Sequence, residues 1–311
     1  MAYELTLRSL RALVAVADTG SIGRAAEQLC ITQSALSQHV ARLSDVFGGA
    51  VVERRGRGIR LTERGRIIVA HARDIERCLA NAVSAVDDLS GLTRGHIRIG
   101  VLQSVNLHLI PTALARMCDV HPGIRTSVRE LSGKGIEEGV TSGDLDLGVG
   151  VGRVEPEDLK VTRLYTERIL WAGAQCPEHG PAKAIRLSEV SRSPLALLSG
   201  EFTTRQLIDS RCLESDIVLQ PTIETNTISS LLELLRVGAF STLLPYSALM
   251  GAQAAGIACT RTTDPELRRT VSILRRRSPV DSAAGAAFIG VLQDVVAELA
   301  SQHADLSTFP R

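Results

Sequence analysis

The sequence predicts an all-α N-terminal part joined by one long helix to an α/β body of two lobes. Three observations predict it. Residues 21–61 read as a pair of short helices followed by a basic hairpin. An unbroken helical pattern with a narrow apolar seam runs from about Glu63 to Leu89. From His96 onward, strand-like and helix-like runs alternate, a pattern that gives parallel sheets with helices on both faces. At 311 residues the chain also exceeds what one core usually covers, so two or more domains are expected.

The first helix spans Thr6 to Thr19, with Leu10, Leu13, Val14 and Ala17 on one stripe and Gly20 as its stop. The next runs from Ser21 to Leu29, where a hydroxyl supplies the N-cap and Ala25 and Ala26 allow a close neighbour. A third runs from about Gln33 to Asp45, capped by Thr32. Leu36, Val40 and Leu43 form its apolar stripe, while Ser34, Ser37, Gln38 and Arg42 occupy the opposite face. Such a face suits the major groove, whose base edges offer distinct donors and acceptors that Gln and Arg engage in bidentate fashion. Thr32 and Gln33, at the start of the helix, are further candidate DNA contacts. The strand-like runs Ala50 to Glu53 and Ile59 to Leu61 flank Arg54-Arg55-Gly56-Arg57-Gly58. This hairpin reads as a wing, with Arg54, Arg55 and Arg57 placed for phosphates or a minor groove.

Charge agrees with that reading. The whole chain carries +1, yet residues 1–66 hold ten arginines and six acids, which is +4 and leaves −3 for the rest. A basic end on a mildly acidic body points to a polyanion at one end only.

Thr62 caps the long helix and Glu63 lies favourably at its positive end. Ile68, Ile75, Ala82 and Leu89 repeat every seven residues, and Ala72, Leu79 and Val86 repeat at the complementary offset. This seam is expected to pair with its copy in a second chain, which suits two-fold DNA sites. Gly91 to Gly95 reads as a hinge.

At these residues the chain resembles the LysR-type transcriptional regulators. GSIGRAAEQL, ITQSALSQHVARL and VVERRGRGIRLTERGR carry the likeness to their winged helix-turn-helix, and the heptad seam matches their linker helix. The family usually has Pro at the place of Ser34 and often Leu-Phe at that of Val51-Val52. The resemblance implies domains at 1–62, 63–92 and 93–311, the last a periplasmic-binding-protein-like effector domain. Its lobe I would span about 93–164 and 266–311, and lobe II about 165–265. It further implies homodimers, dimers of dimers, double-stranded promoter DNA and a small-molecule effector as partners, RNA polymerase as a candidate contact, and no cofactor. LSGEFTTRQLID, IETNTISSLLELLRVGAFSTLLP and the ILRRR…AAF run look most like the cyanate-operon regulator branch, which points to a small anionic effector.

In the body, strands are expected at 96–102, 124–130, 145–151, 164–172, 195–199, 222–225, 241–244 and 270–275. Two lobes joined by two crossing strands form a clamshell whose ligand lies beyond the carboxyl ends of the strands. Gln103, Ser104, Glu130, Gly150, Ser199, Gly200, Thr203, Asn226 and Thr227 are therefore the expected effector contacts. Helix starts at Asn106, Thr203 and Thr227 would aim N–H groups into the same space.

Other chemistry finds no support. Gly148-Val149-Gly150-Val151-Gly152 fails the dinucleotide pattern, since Arg153 and Glu155 replace the third glycine in its two registers, and close packing is expected there. Asp144 and Asp146 read as a solvated strand start. The seven histidines show no metal spacing, and neither a nucleophile elbow nor a phosphate loop occurs, so the protein is not expected to be an enzyme. Six widely spaced cysteines read as small buried thiols, with Cys118 the one considered for redox sensing. No run is long and apolar enough for a membrane span and no signal core opens the chain, so a cytoplasmic location is expected. The alternative class is a small-ligand receptor without specific DNA binding.

Overall fold

The structure is a computed structural model describing residues 5–55, 58–88, 95–151, 158–173, 184–237, 240–251, 254–277 and 282–308. The chain divides into two compact units, residues 1–86 with 142–144, and the remainder of 87–311. Arg57, Leu89, the 91–94 segment of the expected hinge, Gly152 to Glu155 and Cys176 lie outside the described residues.

In the first unit, α1 (Leu7–Thr19) is capped by Thr6, whose hydroxyl accepts the Ser9 N–H, and stops at Gly20 in the left-handed conformation. Then come α2 (Ile22–Gln28), capped by Ser21, and α3 (Gln33–Val46), capped by Thr32. Cys30 takes the turn between them at φ 53°. The wing is an antiparallel pair, β1 (Val52–Arg55) with β2 (Gly58–Leu61), followed by α4 (Glu63–Asp88). Leu10, Leu13, Ala25, Ala26, Leu36, Val40 and Leu43 form one core, as the stripes predict; on the first helix Val16 is buried as well, while Val14 and Ala17 are only partly buried at its edge. Ile68 and Ala72 belong to that core too. This corrects the expected seam: Ile68 and Ala72 pack on their own unit, and among the seam residues the exposed side chains begin with Ile75 and Leu79.

In the second unit, β3 (Gly95–Val101) lies between parallel β4 (Ile124–Glu130) and β5 (Leu147–Gly150). Helices α5 (Gln103–Asn106), α6 (Leu109–Val120) and α7 (Gly133–Ser142) connect them. The long β6 (Leu159–Gly173) then leaves lobe I for lobe II. Lobe II holds β7 (Ile185–Arg186), α8 (Leu187–Val190), β8 (Ala196–Leu198), α9 (Thr203–Leu213), β9 (Ile223–Thr225), α10 (Ile228–Val237), β10 (Ser241–Pro245), a 3-10 turn (Tyr246–Ala248) and β11 (Ala258–Thr263). Return is by β12 (Arg268–Arg276), and the chain closes with α11 (Ala283–Gln302) and β13 (Leu306–Thr308).

The main sheet is mixed rather than parallel, while β8 and β9 pair in parallel as expected. β12 runs antiparallel to both β5 and β6, and β10, β11 and β13 also pair antiparallel with β6. The cause is the crossover itself: a strand that leaves a lobe and one that returns to it must run in opposite directions. Asn106 ends α5 instead of starting a helix and donates to Glu130 at 2.6 Å. Asp146 is not merely solvated; it accepts the Arg98 backbone N–H at 2.8 Å and pairs with its guanidinium at 2.9 Å.

Gly148 is a packing glycine, since a Cβ there would meet Ile136 Cγ2 at 2.4 Å. α11 is long and apolar enough by composition to cross a membrane, although Asp294 and Glu298 interrupt its apolar run. Its Phe288, Leu292, Val295 and Val296 are buried in the lobe I core. The cysteines depart from expectation as well. Cys30, Cys78, Cys118 and Cys259 are exposed; Cys212 is buried, and its thiol is pushed up to about 11, by burial first and then by Asp209.

Candidate DNA-binding face and effector cleft

The two faces of α3 separate sharply. Leu36, Val40 and Leu43 are buried, while Thr32, Gln33, Ser34, Ser37, Gln38 and Arg42 are all exposed. Thr32 Oγ1 accepts the Ala35 N–H at 3.2 Å and meets Ser34 Oγ at 3.0 Å, so the helix start is held by its own hydroxyls. Arg54 and Arg55 are exposed on the wing. The geometry offers a polar ridge of the right composition for a groove, with cations beside it.

In the second unit a small cavity of about 20 Å³ lies between the lobes. Of the residues expected to meet the effector, Gln103, Ser104 and Thr203 line it. Glu130, Gly150, Ser199, Gly200, Asn226 and Thr227 do not. Gly150 is filled in by Ile136 and Leu102, and Thr227 caps α10 by accepting the Ser230 N–H at 3.3 Å. The first residues of α7, α9 and α10 (Gly133, Thr203 and Ile228) all reach the cavity wall. Lobes approach closely here: a Cβ on Gly133 would meet Thr203 Oγ1 at 2.5 Å.

Arg269, on crossing strand β12, also lines the cavity, and sequence reasoning missed it. Its guanidinium pairs with Glu167 of crossing strand β6 at 2.7 Å, and the two side chains are 1% and 0% exposed. Nε donates to Glu167 at 2.8 Å, Nη1 to Thr204 of lobe II at 2.6 Å, and Nη2 to Ser104 of lobe I at 2.7 Å. Glu167 in turn accepts the Ser247 N–H at 2.6 Å and its hydroxyl at 3.1 Å. One buried ion pair thus ties both crossing strands to both lobes. Of the five guanidinium hydrogens, a second on Nη1 has no partner among the described residues. Tyr165, buried beside the pair, has its phenol pushed well above the ordinary range, by burial first and then by the charge of Glu167.

The signal for this pair was in the sequence. Tyr165, Glu167, Ile169 and Trp171 alternate inward, as do Leu267, Arg269, Val271 and Ile273. A charge at an inward position of an apolar stripe needs a partner.

A winged helix pair with a polar ridge, a long connecting helix and a two-lobed α/β unit around a cavity define a ligand-responsive DNA-binding protein. Residues 7–66 match the model for the bacterial regulatory helix-turn-helix proteins of the lysR family, and residues 90–297 match the LysR substrate binding domain. The chain belongs to the LysR family: it is a DNA-binding transcriptional regulator with an effector-binding domain. An uncharacterised HTH-type transcriptional regulator of Escherichia coli, YbhD, is 23% identical over 292 residues, covering 94% of this chain and 92% of that protein. The fold is that of a full-length OxyR variant from Pseudomonas aeruginosa, at TM-score 0.75, 24% identity and 99% coverage of each chain. CbnR, solved full-length with its target DNA, matches at TM-score 0.65 and 18% identity over 94% of this chain and 100% of that one.

Proposed function

We propose that the regulator reads its operator with α3 in the major groove and answers to a small anion held between its lobes. Ser34, Ser37, Gln38 and Arg42 reach base edges; Thr32 and Gln33 meet the backbone at the helix start; Arg54, Arg55 and Arg57 grip phosphates or the minor groove. The exposure of the whole polar face of α3, opposite a fully buried apolar stripe, carries the DNA half of this reading. Residues 1–62 act as the DNA-binding domain, 63–92 as the linker, and 93–311 as the effector-binding domain. Exposed Ile75, Leu79, Ala82 and Val83 on α4 pair with a second copy, and such dimers pair again into tetramers able to contact RNA polymerase. The protein works in the cytoplasm, where its DNA is.

Three helix starts and the Arg269 side chain around a single cavity support an anionic effector, because helix N-termini favour negative charge. Glu167 already cancels the charge of Arg269, so the remaining pull is modest and suits one negative charge on a small group. The likeness to the cyanate-operon branch puts cyanate first among candidates. Ligand then shifts the population between lobe arrangements and changes the spacing and bend of bound DNA, by its differential affinity for the two.

Two experiments test the reading. Footprinting on the DNA upstream of its own gene, with Arg42→Ala, is expected to show a loss of about 1–3 kcal/mol and relaxed preference at one base pair. Arg54→Ala and Arg55→Ala should instead weaken binding to every sequence and shallow the log–log salt slope by about 0.9 for each phosphate no longer neutralised. Equal binding of wild type and Arg42→Ala to operator and scrambled DNA would refute the base-reading role. For the effector, a thermal-shift series with sodium cyanate, acetate and sulfate should show stabilisation by at least one; none would count against the anionic assignment.

A further inference from the structure

Gln103 is the first residue of α5 in lobe I, and Ile228 is the first residue of α10 in lobe II. Across the cleft, Gln103 Oε1 accepts the Ile228 backbone N–H at 2.9 Å. Both residues line the cavity. Among the described residues this is the one hydrogen bond of the Gln103 side chain, so it acts there purely as an acceptor. An acceptor is what the start of α10 calls for, since the first N–H groups of a helix have no partner within it.

We propose that Gln103 is a specificity-determining gate: its carboxamide oxygen and the effector's acceptor oxygen compete for the Ile228 N–H. This rests on the effector-cleft reading above. The competition has a predictable winner. A neutral amide oxygen is a weak acceptor at the positive end of a helix, and a charged oxygen makes a shorter bond roughly twice as strong. An oxyanion reaching the cavity therefore displaces Gln103, in a space that Arg269 also lines. A molecule without an acceptor oxygen leaves the cross-cleft bond in place. Gln103 thereby sets which chemistry can alter the join between the lobes, and its occupancy lowers the apparent affinity of any ligand by the fraction of time the N–H is taken.

The tests use the full-length protein. In Gln103→Ala the Ile228 amide is expected to exchange with deuterium about tenfold faster or more, because it has lost its acceptor. Unchanged exchange overturns the gate without any reference to the effector. For the anion that stabilises wild type among sodium cyanate, acetate and sulfate, Gln103→Ala should bind about threefold tighter or better. Weaker binding would make Gln103 a ligand contact and overturn the proposal. Gln103→Glu places a tethered carboxylate at the same N–H, so its DNA footprint with no anion added should differ from that of wild type, and none of the three anions should stabilise it further. A wild-type footprint, or wild-type stabilisation by an anion, overturns the gate. Should no anion stabilise wild type, the anionic reading fails, while amide exchange and the Gln103→Glu footprint still decide the gate.

Discussion

Arg269→Met is expected to destabilise the effector-binding unit by about 3–5 kcal/mol, the usual cost of stranding one member of a buried ion pair. Glu167 would keep the Ser247 N–H and hydroxyl, yet its charge would sit wholly buried without a cation. For a unit of this size the loss amounts to a fall on the order of 10 °C in its melting transition. Glu167→Leu should cost a similar amount from the other side, leaving a guanidinium among Ser104, Thr204 and Ser247 with no carboxylate. The informative variant is the double, Arg269→Met with Glu167→Leu. Apolar replacement of both members removes the stranded charge, and buried pairs so replaced are often neutral in stability. The double variant should therefore recover most of either single loss, giving a coupling of several kcal/mol in a mutant cycle. Losses that simply add would mean that the pair is not the joint between strands and lobes that its distances indicate. Recovery of stability also frees a second measurement. The double variant keeps the fold but lacks the spare Nη1 hydrogen, so it should be stabilised by added anion less than wild type.

Legibility followed the range of the signal. The helices of the first unit were readable because their periodicity, caps and stops all lie within a few residues of one another. Thr6, Ser21, Thr32 and Thr62 each cap the helix that follows. The seam of α4 was readable as a stripe, but a stripe does not say what it packs against. Ile68 and Ala72 satisfy a heptad and also face the core of their own unit, and burial resolves the choice. In the second unit, the positions of β3, β4, β5, β6, β8, β9, β10 and β12 are legible, while the antiparallel directions of β10 and β12 are not, because direction depends on where the chain crosses between lobes. β11 and β13 were missed for a related reason. Thr260 and Thr262 are buried polar residues in a short polar run, so β11 shows no apolar alternation. The cleft is legible in part. A strand end points to Gln103 and Ser104 and a helix start to Thr203, whereas Arg269 falls outside a strand expected to begin at Thr270. Glu167 lies inside an expected strand at an inward position, where a charge in an apolar stripe needs a partner that local sequence does not supply.

Ile75→Glu combined with Leu79→Glu is expected to convert a dimer into monomers and to abolish tight operator binding. Ile75 and Leu79 are 44% and 45% exposed on α4, and Val83 farther along is 57% exposed. Apolar side chains at one-turn spacing on a solitary helix stand in water unless another surface covers them. Fully burying such a side chain is worth about 1.5–3 kcal/mol, and a two-fold seam counts each residue twice. Carboxylates at both positions remove that gain and set like charges against each other across the seam. A dimer presents two α3 helices to two half-sites, so the second half-site is engaged at high effective concentration. Without it, operator affinity should fall by about 10²–10⁴-fold while binding to a single half-site persists. The fold of the first unit should survive, since its core holds Ile68, Val69 and Ala72 and not the two altered side chains. Light scattering reports the mass, and a footprint on a two-fold operator reports the binding. An unchanged dimer with full protection of both half-sites would place the seam elsewhere. Monomers that still protect both half-sites would show that the pairing helix is not what couples them.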